Sequence, residues 1–153
     1  MIANVSGTFR LFNGEVESEN DDFNDATIAF EMDAASIDTN MAERDGHLRS
    51  DLFLDAEKYP KINFEGILHK KDSHYELNGD LILRAVKKSL TMAVDYMGTE
   101  KGRFGETRAG FEVTGKINRK NFGVSFSLLN EAGRAVVGEE VKLHFDIELI
   151  RQA

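Results

Sequence analysis

The chain has no cysteine, no tryptophan and a single proline among its 153 residues. Without cysteine it has no disulfide, no thiolate nucleophile and no Cys-ligated metal, which fits a reducing compartment. Positive charge is the scarcer sign: 19 Lys and Arg against 27 Asp and Glu leave a net charge of −8. That balance favours solubility and disfavours nucleic acid or an anionic membrane as a general partner. No apolar run reaches the roughly 18 residues a membrane helix needs. The start, Met1-Ile2-Ala3-Asn4-Val5-Ser6-Gly7, has neither a basic beginning nor a long apolar stretch. It is not a signal peptide, and the expectation is a cytoplasmic protein. Asn4-Val5-Ser6 matches the glycosylation sequon, which without such a signal reads as coincidence. A Walker loop, a dinucleotide fingerprint, a nucleophile elbow and an HExxH motif are all absent.

What is present is alternation with period two, the mark of strands with one apolar face. Ile28, Phe30 and Met32 share a face, as do Ile62, Phe64, Gly66 and Leu68. Tyr75, Leu77, Gly79, Leu81 and Leu83 form a longer one, followed by Leu90, Met92, Val94 and Tyr96. Ala109, Phe111, Val113, Gly115 and Ile117 continue the pattern, and Val141, Leu143, Phe145, Ile147 and Leu149 end it. A strand near Val5 to Phe12 with a turn at Asn13-Gly14, and another over Phe122 to Leu128, are further expectations. Strands of about ten residues exceed the usual length of roughly 5–6. Joined by short turns, they favour a closed antiparallel barrel in one domain spanning residues 1–153. A barrel of about eight strands can fill its interior or hold one small ligand. Gly66, Gly79 and Gly115 on apolar faces allow bends, or else leave interior space, with bending the commoner meaning.

Residues 41–54 break the alternation. Their charges fall at helical spacing, Leu48, Leu52 and Phe53 can share a face, and Thr39 or Asn40 can cap the start. Tyr59-Pro60 would stop a helix there. The expectation is a short helix across one end of the barrel. Glu15 to Asp22 is acidic and expected as a solvated loop.

Arg44, Asp45, His47 and Arg49 form the densest ionisable cluster. They suit a polar collar whose arginines meet an anionic headgroup, or an acid–base pair of Asp45 with His47. Charged helix faces are normally solvated, so a structural role leads on the residues alone. His69 and His74 are able to face one another across a hairpin, but two histidines are too few for a zinc site, so no metal is expected. On the apolar faces, Phe30, Phe64, Leu81, Leu83, Phe111, Phe126 and Phe145 are the expected lining of an interior cavity.

The same residues carry a resemblance. Arg44-Asp45-Gly46-His47-Leu48-Arg49-Ser50, then Phe53, Asp55, Tyr59 and Pro60, is similar to the RDxHL…F…YP segment of the YceI-like family. These are lipocalin-like polyisoprenoid-binding proteins. Val5-Ser6-Gly7-Thr8-Phe9, Ala35-Ser36-Ile37-Asp38-Thr39, Gly79-Asp80-Leu81 with Arg84, and Asn118-Arg119 with Phe122-Gly123 match in order. The resemblance implies an all-β, extended antiparallel lipocalin-like barrel with a short helix near one end. It implies no catalysis and no cofactor. The partner it implies is an isoprenoid or other amphiphilic lipid, a polyprenyl phosphate or a quinone, bound with Arg44, His47 and Arg49 at the mouth and then carried or stored.

The chain departs from the family pattern in three ways. Ala85 and Lys87 replace a usual Gly and Thr, Asn121 replaces a usual Asp, and the chain begins after the family's usual first strand. Many members are exported, so a periplasmic location follows if the natural start is longer. A missing strand leaves a seam between the strand near Val5–Phe12 and the strand Val141–Leu149. Free edges suit a homodimer, although Lys142, Asp146 and Glu148 would also blunt an edge by charge.

Overall fold

The computed structural model describes residues 5–124 and 138–152. Its strands are β1 (Thr8–Phe9), β2 (Phe12–Glu17), β3 (Ala26–Asp33), β4 (Ile37–Asp38), β5 (Lys61–Lys70), β6 (Tyr75–Leu83), β7 (Val86–Lys101), β8 (Thr107–Asn118) and β9 (Glu140–Ile150). Among the described residues there is one α-helix, α1 (Ala42–Arg49), between β4 and β5. β1 pairs with β4, and the other seven strands form an antiparallel sheet in the order β2-β3-β5-β6-β7-β8-β9.

The apolar alternation dictates how this sheet curls. Phe64 stands opposite both Phe30 and Leu81, and Phe111 is opposite Ile147, so one apolar face runs across the sheet. β3 and β9 are five strand steps apart in that order. A flat sheet would separate them by about 24 Å, at ~4.8 Å per step. Instead the Phe30 and Phe145 rings meet edge to face with centroids 5.5 Å apart. The sheet is therefore a half-barrel curled nearly onto itself, with the apolar face inside. Among the described residues, β2 and β9 are its two edges.

Several local expectations are corrected. Asn13-Gly14 is not a turn: both residues lie within β2, where Gly14 pairs with Phe30. A Cβ on Gly14 would approach the Phe30 ring to 2.9 Å, so the glycine makes room for an aromatic neighbour. The first side of the seam is therefore β2, not a strand over Val5–Phe12. The acidic stretch begins inside β2 and becomes loop only after Glu17. Phe122 sits in a 3₁₀ helix, Arg119–Phe122, rather than a strand, and Phe126 lies outside the described residues.

The interior glycines do not leave space. The Phe64 ring lies over Gly66 and Gly79, within 2.7 Å of where a Gly79 Cβ would stand, and Met92 Cγ is 2.6 Å from the corresponding point on Gly115. The longest excursion, from Ala34 to Pro60, is stitched at its base by the Ala34 N–H donating to the Pro60 C=O at 2.9 Å.

Candidate functional site

Within the half-barrel lies a small cavity of about 40 Å³, lined entirely by apolar surface. Phe30, Phe64, Leu81 and Phe145 line it. Aromatic bulk is an incomplete guide to the lining: Ile28, Met32, Leu143 and Ile147 also face it and carry the same alternation. Two expected residues sit elsewhere. Leu83 is buried at the end of β6, outside the lining. Phe111 belongs to an aromatic plug, its ring 5.2 Å from both Phe23 and Tyr96.

That plug closes one end. Tyr75 packs 6.2 Å from Phe111 and donates its hydroxyl to the Asp22 carbonyl at 2.5 Å. Burial, and then the neighbouring Asp22 and Tyr96, push the Tyr75 phenol up. Phe23 reaches the plug from a left-handed backbone, φ 62°, in the loop before β3. A phenylalanine there is strained, and its ring contacts offset the strain.

The excursion containing α1 caps the other end. Its polar cluster is wired differently from the expectation. Met41 is the helix N-cap and makes no side-chain cap. Asp45, 8% exposed, accepts the Thr39 N–H at 2.8 Å and the Thr39 hydroxyl at 2.5 Å. Thr39 thus caps nothing; it is itself held. Arg44 donates Nε to the Thr39 hydroxyl at 2.8 Å and Nη2 to the Thr39 carbonyl at 2.7 Å. The Thr39 hydrogen bonds, with Arg49 and Arg44 nearby, hold the Asp45 carboxyl below the ordinary carboxylate range against the effect of its burial.

His47 is exposed, its ring 5.0 Å from Phe53. Residues two apart on a helix do not face each other, so Asp45 and His47 form no acid–base relay. Arg49 is exposed, whereas Arg44 is half-buried in the Thr39 knot. Leu52, expected with Leu48 and Phe53 on one face, is exposed, because α1 ends at Arg49 and the turn beyond shifts the phase.

Two arginines not singled out as site residues clamp this cap. Arg84 donates Nη1 to the Phe53 carbonyl at 3.0 Å and the Gly123 carbonyl at 3.3 Å. Arg119, 5% exposed, donates to the Gly138 carbonyl at 2.7 Å and the Val124 carbonyl at 2.6 Å. Their only sequence signal is their place in the family pattern. His69 and His74 do not face one another: His69 lies opposite Glu76, and His74 is in the turn before β6. Glu112, His144 and Asp146 cluster on the polar face of β8 and β9, exposed or half-exposed.

Known proteins share this pattern. The YceI-like domain model matches residues 1–149. A UPF0312 protein of Serratia proteamaculans is 36% identical over 146 residues, covering 95% of this chain and 73% of the relative. Protein YceI of Escherichia coli O157:H7 is 35% identical over 147 residues, covering 95% and 74%. A crystal structure of a Campylobacter jejuni YceI protein superposes with a TM-score of 0.83 at 24% identity, covering 100% of this chain and 88% of that one. The half-barrel is thus the fold of a known group of lipocalin-like barrels, and the chain belongs to the YceI-like family.

Proposed function

We propose that the protein binds an isoprenoid or another amphiphilic lipid, of the polyprenyl phosphate or quinone kind, in the apolar interior, as carrier or store. The observation that carries this reading is the unbroken apolar lining of the cavity. An apolar site needs few polar groups to recognise a hydrocarbon chain. The volume sets a condition. About 40 Å³ holds little more than a water molecule or two, against the roughly 300 Å³ and more of small-molecule sites. A lipid therefore enters by parting the Phe30–Phe145 contact, and the side between the β2 and β9 edges is the place that gives. For a charged headgroup at the capped end, the exposed Arg49 is a better candidate than Arg44, which is committed to Thr39.

Mass spectrometry of an organic extract of the purified protein tests this. A stoichiometric prenyl or acyl compound is expected; a clean extract from protein purified without detergent rejects it. Among the described residues β2 and β9 have no outer neighbour, and such edges suit pairing with a second copy, which sedimentation at micromolar concentration checks. A monomer throughout removes that part.

A further inference from the structure

β7 continues from Asp95 to Lys101 beyond its last pairing with β6, at Val94. At ~3.3 Å per residue this carries the β7–β8 hairpin about 23 Å past its neighbour. Phe104, at the tip, is 86% exposed, and Met97, on the way, is 68% exposed, the two highest values for a large apolar side chain among the described residues.

A lone exposed apolar residue is ordinary, but this turn is built. The Gly102 N–H donates to the Glu106 carbonyl at 2.7 Å, and the Gly105 N–H to the Gly102 carbonyl at 3.1 Å. Glu106 accepts the Phe104 N–H at 2.9 Å on one carboxylate oxygen and Arg108 Nε at 2.8 Å on the other. A Cβ on Gly102 would stand 1.9 Å from Glu106 Oε1, and Gly105 has φ 81°. Two glycines and a tied carboxylate therefore fix one conformation, which holds a phenyl ring out in water with the Arg103 guanidinium 5.7 Å from its centroid.

The charge at this end differs from that of the rest of the molecule. Arg108 is shared by Glu106 and Glu148. Lys101, Arg103 and Arg151, all exposed, stand with Asp95 and Glu100. These four basic and four acidic side chains balance, so the net charge of −8 lies elsewhere in the chain. Arg151 is held beside the hairpin base by its N–H to the Thr107 carbonyl at 2.9 Å.

We propose that this tip docks the protein onto an anionic phospholipid surface. Phe104 enters the boundary between headgroups and acyl chains, and Lys101 and Arg103 meet the phosphates. An apolar ring flanked by cations is the chemistry of that interface. The net charge of −8 opposes adsorption by the other faces and so orients the approach. It does not prevent contact at the tip. Lys101 and Arg103 stand at the tip, ahead of Glu148, Asp95 and Glu112 further down the paired strands. The proposal is independent of what fills the interior.

The absence of tryptophan makes the test clean. Phe104→Trp introduces the sole indole, and its emission is followed with vesicles of phosphatidylcholine alone and of phosphatidylcholine mixed with phosphatidylglycerol, neither containing isoprenoid. A blue shift with the mixed vesicles is expected. In flotation with those vesicles the unmutated protein should rise, Phe104→Ala should bind on the order of tenfold more weakly, and Arg103→Ala roughly fivefold more weakly. Thermal melts check that the exposed substitutions leave the fold intact. Unshifted emission and no flotation with either vesicle overturn the proposal. So does a result in which Phe104→Ala abolishes self-association in sedimentation while vesicles are ignored, for then the tip contacts a second copy. Because no cargo is present, neither result bears on lipid binding inside the barrel.

Discussion

The central strands and the flanking strands carry the same sequence pattern and meet different fates. On β5, β6 and β8 the inward residues Phe64, Leu81 and Phe111 are buried. On β3 and β9 the equivalent residues Phe30, Phe145 and Ile147 are only half-buried. Alternation states which face a residue takes, not how much lies over it. The depth is set by what packs over the residue: β3 and β8 are each second from an edge, yet Phe111 lies under Phe23 and Tyr96 whereas Phe30 faces the cavity beside Gly14, which brings no side chain. The half-covered flanks are where this molecule has apolar surface left to give a ligand.

The largest expected effect separates the two regions. Phe64→Ala should cost about 3–5 kcal/mol, because its ring is buried over Gly66 and Gly79. Phe145→Ala should cost about half as much, because part of that ring already meets water. Urea unfolding of the two variants measures the difference, and equal costs would break the distinction. The comparison sharpens in a double-mutant cycle on Phe30 and Phe145. Their edge-to-face pair should couple by about 0.5–1.5 kcal/mol in the empty protein. With an apolar ligand bound the coupling should vanish, because the rings must part to admit it; a coupling unchanged by ligand would place the entry elsewhere.

The capped end answers to pH. The folded Asp45 carboxyl lies below its ordinary value of 3.8. A depressed folded pKa contributes stability that is present above that value and lost as pH falls through the folded pKa. The urea midpoint of the unmutated protein should therefore fall more between pH 6 and pH 3 than that of Asp45→Asn, and parallel falls would show that the Thr39 knot adds nothing.

The smallest effect has the opposite sign. Arg84 and Ala85 form the two-residue β6–β7 turn with φ of 52° and 61°. Glycine suits such a turn, so Ala85→Gly should stabilise by about 1 kcal/mol, read as a rise in the melting temperature.

The strands and their faces were legible in the sequence because a period of two survives whatever packs against it. The boundaries of β6 follow directly from the run Tyr75 to Leu83. Gly14 was misleading because Asn-Gly is a strong turn signal, and only the ring of Phe30 on the next strand explains why it stays extended. Thr39 was misleading for a related reason. A hydroxyl before a helix usually caps it, whereas here the helix returns Asp45 to hold the hydroxyl. Phe111 and Phe30 look alike in sequence, and nothing local says that one meets Phe23 and the other a cavity. Those outcomes depend on contacts between residues far apart in the chain.

The strand order also bears on how the chain reaches this state. Apart from β3 with β5, every pair in the seven-stranded sheet joins strands consecutive among the described residues. Closing the excursion from residue 34 to residue 60 costs roughly 1.7 kcal/mol more loop entropy than closing the four-residue turn at residues 71–74. The β5–β8 meander is therefore the cheapest part to assemble, and the β2–β3 hairpin is expected to join last, after the interior it completes has formed. The side of the molecule assigned to ligand entry is thus also the side that folding finishes.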